Sequence, residues 1–224
     1  MVKELPEVLG AMVSDGLELL DVLGASTGGT LASATLKAYL KRRIDKGREV
    51  LFDQLAGGDI LRPQAAAKDE AVAVIYHYFR SACMGTARVN LRLLAQGIAG
   101  RLRTSTLVAD EFLPHAEALA ALSRDEVILL ATMYRVKLAH DALVGQGFTR
   151  KNDWTECLSE LERQHQWSKE HAEATAARCL RSGLVLIASA YGTATFAPSP
   201  LMSALCKTID FADALRREGQ AVPE

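Results

Sequence analysis

The sequence lacks most of what marks an enzyme, a secreted protein or a membrane-spanning one. Its four cysteines, Cys83, Cys157, Cys179 and Cys206, form no C-x-x-C pair, and no secretory leader precedes them. That pattern favours reduced thiols in a cytoplasmic protein over a disulfide frame or a zinc site. The five histidines, His77, His115, His140, His165 and His171, fall into no H-E-x-x-H or other standard ligand spacing, so no metal is expected. His165 and His171 alone are spaced to approach each other across a turn, with Cys157 or Cys179 nearby. No G-x-G-x-x-G follows a predicted strand, and no acidic cluster has a distinctive spacing, so no cofactor is expected either. The longest uncharged run near the N-terminus, Val22 to Leu36, is diluted by Gly, Ser and Thr. It falls short of the roughly 20 apolar residues that cross a bilayer, which excludes a transmembrane span there. A net charge of −1 leaves no global attraction to nucleic acid or to anionic lipid, so any such partner must be held by a local patch.

What is present is a core. Of the 224 residues 49% are hydrophobic, enough for one large domain or two small ones, and the periodicity is mainly helical. Leu5, Val8, Leu9, Met12, Val13, Leu17, Leu20 and Val22 predict an amphipathic helix over about residues 4 to 23. Gly24 to Gly29 interrupts it, and a second, longer helix carries Leu31, Leu36, Tyr39, Leu40, Ile44, Val50, Leu51 and Leu55 to a stop near Gly57-Gly58. The pair reads as a helical hairpin. After a turn at Arg62-Pro63, one long helix is predicted over about residues 67 to 100, and a short one follows over residues 110 to 121. Leu122-Ser123-Arg124-Asp125-Glu126-Val127 is the clearest helix start in the chain: Ser123 caps, Glu126 returns the bond, and Leu122 can staple onto Val127. That helix runs to about Val144, where Gly145 and Gly147 end it. The expected organisation is a helical region over residues 1–120 and a second domain over residues 121–224.

Two basic segments are candidate contact surfaces. Lys41, Arg42, Arg43 and Lys46 lie on the second helix and suit an anionic membrane surface, although Asp45, Glu49 and Asp53 interleave with them. Between Glu70 and Asp110 there is no acidic residue, while Arg80, Arg88, Arg92, Arg101 and Arg103 supply positive charge. On a continuous helix Arg80, Arg88, Arg92 and Arg103 fall within a sector of about 140°. They suit phosphate contact, or pairing with acidic helices of the same chain or of a second copy. The second use is favoured, because no aromatic or glycine-rich feature beside them marks a surface that reads bases.

Gly24-Ala25-Ser26-Thr27-Gly28, within Asp21 to Gly29, fits G-x-S-x-G and resembles the nucleophile elbow of patatin-like acyl hydrolases. The resemblance implies Ser26 as a nucleophile whose following N–H helps hold the oxyanion. That family also carries a glycine-rich loop upstream and an Asp-Gly pair downstream. Here no glycine-rich loop precedes Ser26, no later Asp is followed by Gly, and the alternating strands of an α/β hydrolase are missing. The stretch is therefore read as a small-residue loop or a close helix contact, and the protein as a non-enzyme.

From Lys151 onward the elements read helix, helix, hairpin, helix. Asp153 and Glu156 open a helix to about Gln164. Ser168 caps another that stops at Ser182, with Gly183 in the left-handed position. Leu184 to Ala190 and Thr193 to Phe196 read as strands around a Tyr191-Gly192 turn. Ser199-Pro200 starts a last helix that continues to about Arg217. This order, with Gly183 and the hairpin, resembles a winged-helix domain over about residues 122 to 211. The resemblance implies a mainly α fold with one β-hairpin and, as contact candidates on the helix before the hairpin, Lys169, Arg178 and Arg181. Glu170 and Glu173 on that helix oppose them. Ser182 to Cys206 contains no Lys, Arg, Asp or Glu, and residues 151–224 carry eight Lys and Arg against ten Asp and Glu, a balance of −2. A DNA reader should be basic. The hairpin is expected to pack inward or into a protein partner or second copy, with nucleic acid the minority reading.

Overall fold

The computed structural model describes residues 30–56, 68–104, 107–144, 153–189 and 194–219. The chain is mainly α-helical with one small antiparallel β-hairpin, and it divides into two compact units, Met1–Ala121 and Leu122–Glu224. The predicted helix over residues 4 to 23, the Ser26 loop and the Tyr191-Gly192 turn lie outside the described residues, as does the first limb of the expected hairpin.

The first unit contains α1 (Thr30–Leu55), α2 (Lys68–Cys83), α3 (Arg88–Thr104) and α4 (Ala109–Ala120). Its centre is α3, which is buried on every side from Leu91 to Gly100 and packs against the other three helices. Such all-round burial needs small and aliphatic residues, and Leu91, Leu93, Leu94, Ala95, Ile98 and Ala99 supply them. Helix α1 lies against α2 and α3. The approach is tight where Gly47 faces Ala82: a Cβ on Gly47 would stand 3.2 Å from that of Ala82. The missing side chain lets the buried Tyr78 hydroxyl donate to the Gly47 carbonyl at 2.8 Å, which satisfies a phenol that burial would otherwise leave stranded.

The single helix predicted over residues 67 to 100 is two helices, and this is a correction. The break is a Schellman turn. Gly85 sits at φ 88°, its N–H donates to the Ala82 carbonyl at 3.2 Å, and the Thr86 N–H donates to Ser81 at 3.2 Å. Those two bonds satisfy carbonyls that the end of α2 leaves open, at a residue where only glycine adopts a left-handed backbone without cost.

The second unit contains α5 (Arg124–Val144), α6 (Asp153–His165), α7 (Lys169–Cys179), a 3-10 turn (Leu180–Ser182), β1 (Val185–Ser189), β2 (Thr195–Pro198), α8 (Pro200–Leu205) and α9 (Phe211–Gly219). Local signals build most of it. The Ser123 N–H donates to Glu126 Oε2 at 2.7 Å and the Glu126 N–H donates to Ser123 Oγ at 3.3 Å, a complete capping box. Ser168 accepts from the His171 N–H and Ser199 from the Met202 N–H, while Gly183 at φ 69° ends the 3-10 turn. Helix α5 packs against α6, α7, α9 and β2. Trp154 and Phe196 meet edge to face in the same core, with ring centroids 5.0 Å apart.

The hairpin pairs Val185 with Pro198, Leu186 with Ala197 and Ile187 with Phe196, and then shifts register at Ala188 so that Ser189 meets Thr195. The second strand therefore lies two residues later than Thr193 to Phe196. Pro198 is tolerated at its end, where no further ladder N–H is needed. The last predicted helix is also two. Asp210 Oδ1 accepts from the Asp213 N–H at 2.9 Å and starts α9 afresh after the buried Ile209.

Candidate functional site

The arginines of the first unit mostly face protein. Arg92 is 7% exposed and meets Asp53 of α1 at 3.3 Å, while Arg88 lies 3.8 Å from Glu49 on the same helix. Arg103 donates to the Gln54 carbonyl at 2.6 Å, and Arg101 meets Glu111 at 3.4 Å. Of the predicted contact residues here, Arg80 alone is exposed. The 140° sector does not exist as one face, because Arg80 belongs to α2 and the others to α3. What the sequence places correctly is the charge complement, since α1 supplies the carboxylates.

The basic run on α1 splits in the same way. Arg43 turns inward and donates through Nε to the Ala82 carbonyl at 2.9 Å and through Nη2 to Thr86 at 2.5 Å, clasping the turn between α2 and α3. Lys41 and Arg42 are exposed and Lys46 is partly buried. Arg43 thus leaves the outward-facing basic set that residues 41 to 46 suggest.

Thiol and imidazole chemistry is muted. Burial pushes Cys157, Cys179 and Cys206 up to about 12 and raises Cys83, where the nearby Arg43 opposes it. These groups stay protonated at neutral pH, and a protonated thiol is a poor nucleophile and metal ligand. His165, Trp167 and His171 form a ring cluster at the turn between α6 and α7, and His171 faces Asp125 at 3.2 Å. Among the described residues no three His, Cys, Asp or Glu side chains gather as metal ligands would. His140, 6% exposed, meets Asp153 through Nδ1 and lies 3.6 Å from Glu156 through Nε2. This arrangement ties the end of α5 to the start of α6 and engages both ring nitrogens. Ser26 lies outside the described residues.

The helix before the hairpin, α7, spends its charges close to home. Lys169 faces Glu173 at 3.7 Å, and Arg178 donates to Thr175 Oγ1 at 3.2 Å. Arg181 reaches back to α5: its Nη1 lies 2.8 Å from Glu126 Oε1, and its Nη2 donates to Oε2 at 3.0 Å. Glu126 is 1% exposed on its side chain. Burial would raise its pKa, but the Ser123 N–H, the Ser123 hydroxyl and the Arg181 guanidinium together hold it below the ordinary carboxylate value. Arg181 therefore serves the fold.

The hairpin offers a different surface. Its base is in the core, with Leu184, Val185 and Phe196 at 0%, 1% and 6% exposure, while Leu186 and Ile187 stand 48% and 54% exposed. Adjacent strand residues point to opposite faces, so β1 is open on both faces at this point, although Phe196, opposite Ile187 on β2, is buried against Trp154. The charge-free stretch is legible in the sequence, but which of its apolar residues face out is not, because Leu184 to Ala190 is apolar on both faces. No transmembrane candidate occurs among the helices of the described residues. No protein-family model, curated protein or solved structure matches the chain.

Proposed function

We propose that the protein is a non-enzymatic interaction protein whose second unit is a winged-helix-like domain that binds protein, and in the first place a second copy of itself, through its β-hairpin. The observation that carries this reading is the pair Leu186 and Ile187, about half exposed on a stretch without one charged residue from Ser182 to Cys206. An apolar surface of this kind gains by leaving water, at roughly 25 cal/mol per Å². Two identical copies can meet across it without like-charge conflict, as a two-fold interface requires. Phosphate contact has less support: Arg181 is bound to Glu126, Lys169 faces Glu173, and residues 151–224 carry net negative charge.

The test is the mass of the full chain in solution over a concentration series, by light scattering on a sizing column. Association that Ile187→Lys abolishes, with unchanged circular dichroism, is the expected result. A chain that stays monomeric throughout refutes the self-contact. Salt-sensitive binding to labelled duplex DNA, weakened by Lys169→Gln or Arg178→Gln, overturns the reading in favour of nucleic acid.

A further inference from the structure

Helix α1 carries one largely apolar stripe along its length, interrupted by Arg43 and Gln54. At 100° per residue Leu36, Tyr39, Leu40, Ile44, Val50 and Leu51 fall within a sector of about 140°. The C-terminal half of that stripe is core: Ile44, Val50 and Leu51 are 6%, 1% and 1% exposed, where α1 meets α2 and α3. Its N-terminal half is left open by the other described residues. Leu36 and Tyr39 are 48% and 46% exposed, and every residue from Thr35 to Arg42 except the half-buried Leu40 is exposed. The stripe thus continues beyond the packed part of the helix, with the Tyr39 hydroxyl beside the α2–α3 turn at Gly85.

The charges beside the bare stripe are all positive. Lys37 and Lys41 lie along one edge and Arg42 along the other, each within about 60° of it. None of the three makes an ion pair with another described residue, and there is no acidic residue from Thr30 to Ile44. We infer that the open half of α1 is a docking surface for anionic lipid. A helix lying in a bilayer interface needs an apolar face at acyl depth and cations whose long stems let the head groups reach anionic phosphate. Leu36, Tyr39 and Leu40 between Lys37, Lys41 and Arg42 match that requirement, and Tyr39 brings a hydroxyl suited to the headgroup level. A second copy fits poorly, because pairing two such stripes would bring six cations together with no acid between them. Nucleic acid leaves the apolar centre without a partner. Arg43 sits on the same turn, and its binding to Ala82 and Thr86 anchors the helix to the bundle.

The experiment is flotation of the full chain with phosphatidylcholine vesicles, with and without about one third phosphatidylserine. Binding to the anionic vesicles only, falling as salt rises, is expected. Each cation near such a surface contributes about a factor of five to partitioning, so Lys37→Gln, Lys41→Gln and Arg42→Gln together should lower it by about a hundredfold. Leu36→Ser with Tyr39→Ser should lower it by at least about tenfold. All five positions are exposed, and unchanged circular dichroism confirms that the variants fold. Absence of flotation with either vesicle overturns the inference, including where these residues prove to hold an acidic protein. Flotation that survives both sets of substitutions overturns it equally.

Discussion

The Arg181–Glu126 contact can be tested as a quantity. Glu126→Ala removes the acceptor of the Ser123 N–H, a capping loss of about 1 kcal/mol. It also removes the charge-assisted bond to Arg181, discounted to about 1 kcal/mol because the arginine is half exposed. The total is about 2 kcal/mol, or roughly 10 °C for a unit of about a hundred residues. Glu126→Gln keeps an oxygen for the cap and should cost about 1 kcal/mol. Arg181→Ala should cost about 2 kcal/mol for a different reason: it strands a carboxylate that is 1% exposed. Once Glu126 is alanine, removing Arg181 should cost almost nothing, so the two changes are strongly non-additive.

Urea unfolding followed by tryptophan fluorescence reads this cycle selectively, because both tryptophans, Trp154 and Trp167, lie in the second unit. The pH dependence supplies an independent check. A carboxylate held below its ordinary value binds fewer protons folded than unfolded, so its stabilisation is fully present above about 4.5 and is lost as the pH falls through the folded value. Glu126→Gln should flatten that part of the profile. Additive costs for Glu126→Ala and Arg181→Ala, or an acid limb unchanged in Glu126→Gln, would refute the reasoning.

Two further outcomes follow from the backbone. Gly183→Ala should cost about 1 kcal/mol, because the residue sits at φ 69° while the nearest atom to an added Cβ is 3.8 Å away. The loss is then conformational rather than steric, and thermal melting of the second unit by fluorescence measures it. Arg43→Met keeps the stem and removes two charged hydrogen bonds to carbonyls, so the first unit should lose about 2 kcal/mol. Hydrogen exchange should show the amides of Met84 to Thr86 opening first.

The parts legible in the sequence are those whose signal is local. Ser123 with Glu126, Ser168, Ser199 before Pro200, and Gly183 each name a cap within three or four residues, and each forms as expected. The breaks after Cys83 and Leu205 escape because the apolar rhythm resumes almost in phase on the far side. Gly85 and Asp210 were the available signals, and neither stands in a polar or proline-rich stretch. The main-chain destinations of Arg43 and Arg103 could not be read at all. Arg43 and Arg103 end on main-chain carbonyls 39 to 49 residues away in the chain, and a carbonyl is present at every position. Exposure of Leu186, Ile187, Leu36 and Tyr39 likewise depends on where neighbouring elements stop.

The choice of acceptor sorts the arginine contacts by the solvents they withstand. A carbonyl oxygen takes up no proton at any ordinary pH and carries no net charge for salt to screen. The clasp of Arg43 on Ala82 and Thr86, and that of Arg103 on Gln54, should therefore hold in acid and in concentrated salt. Ion pairs to carboxylates, Arg92 to Asp53 in the first unit and Arg181 to Glu126 and Arg135 to Glu160 in the second, weaken under both conditions.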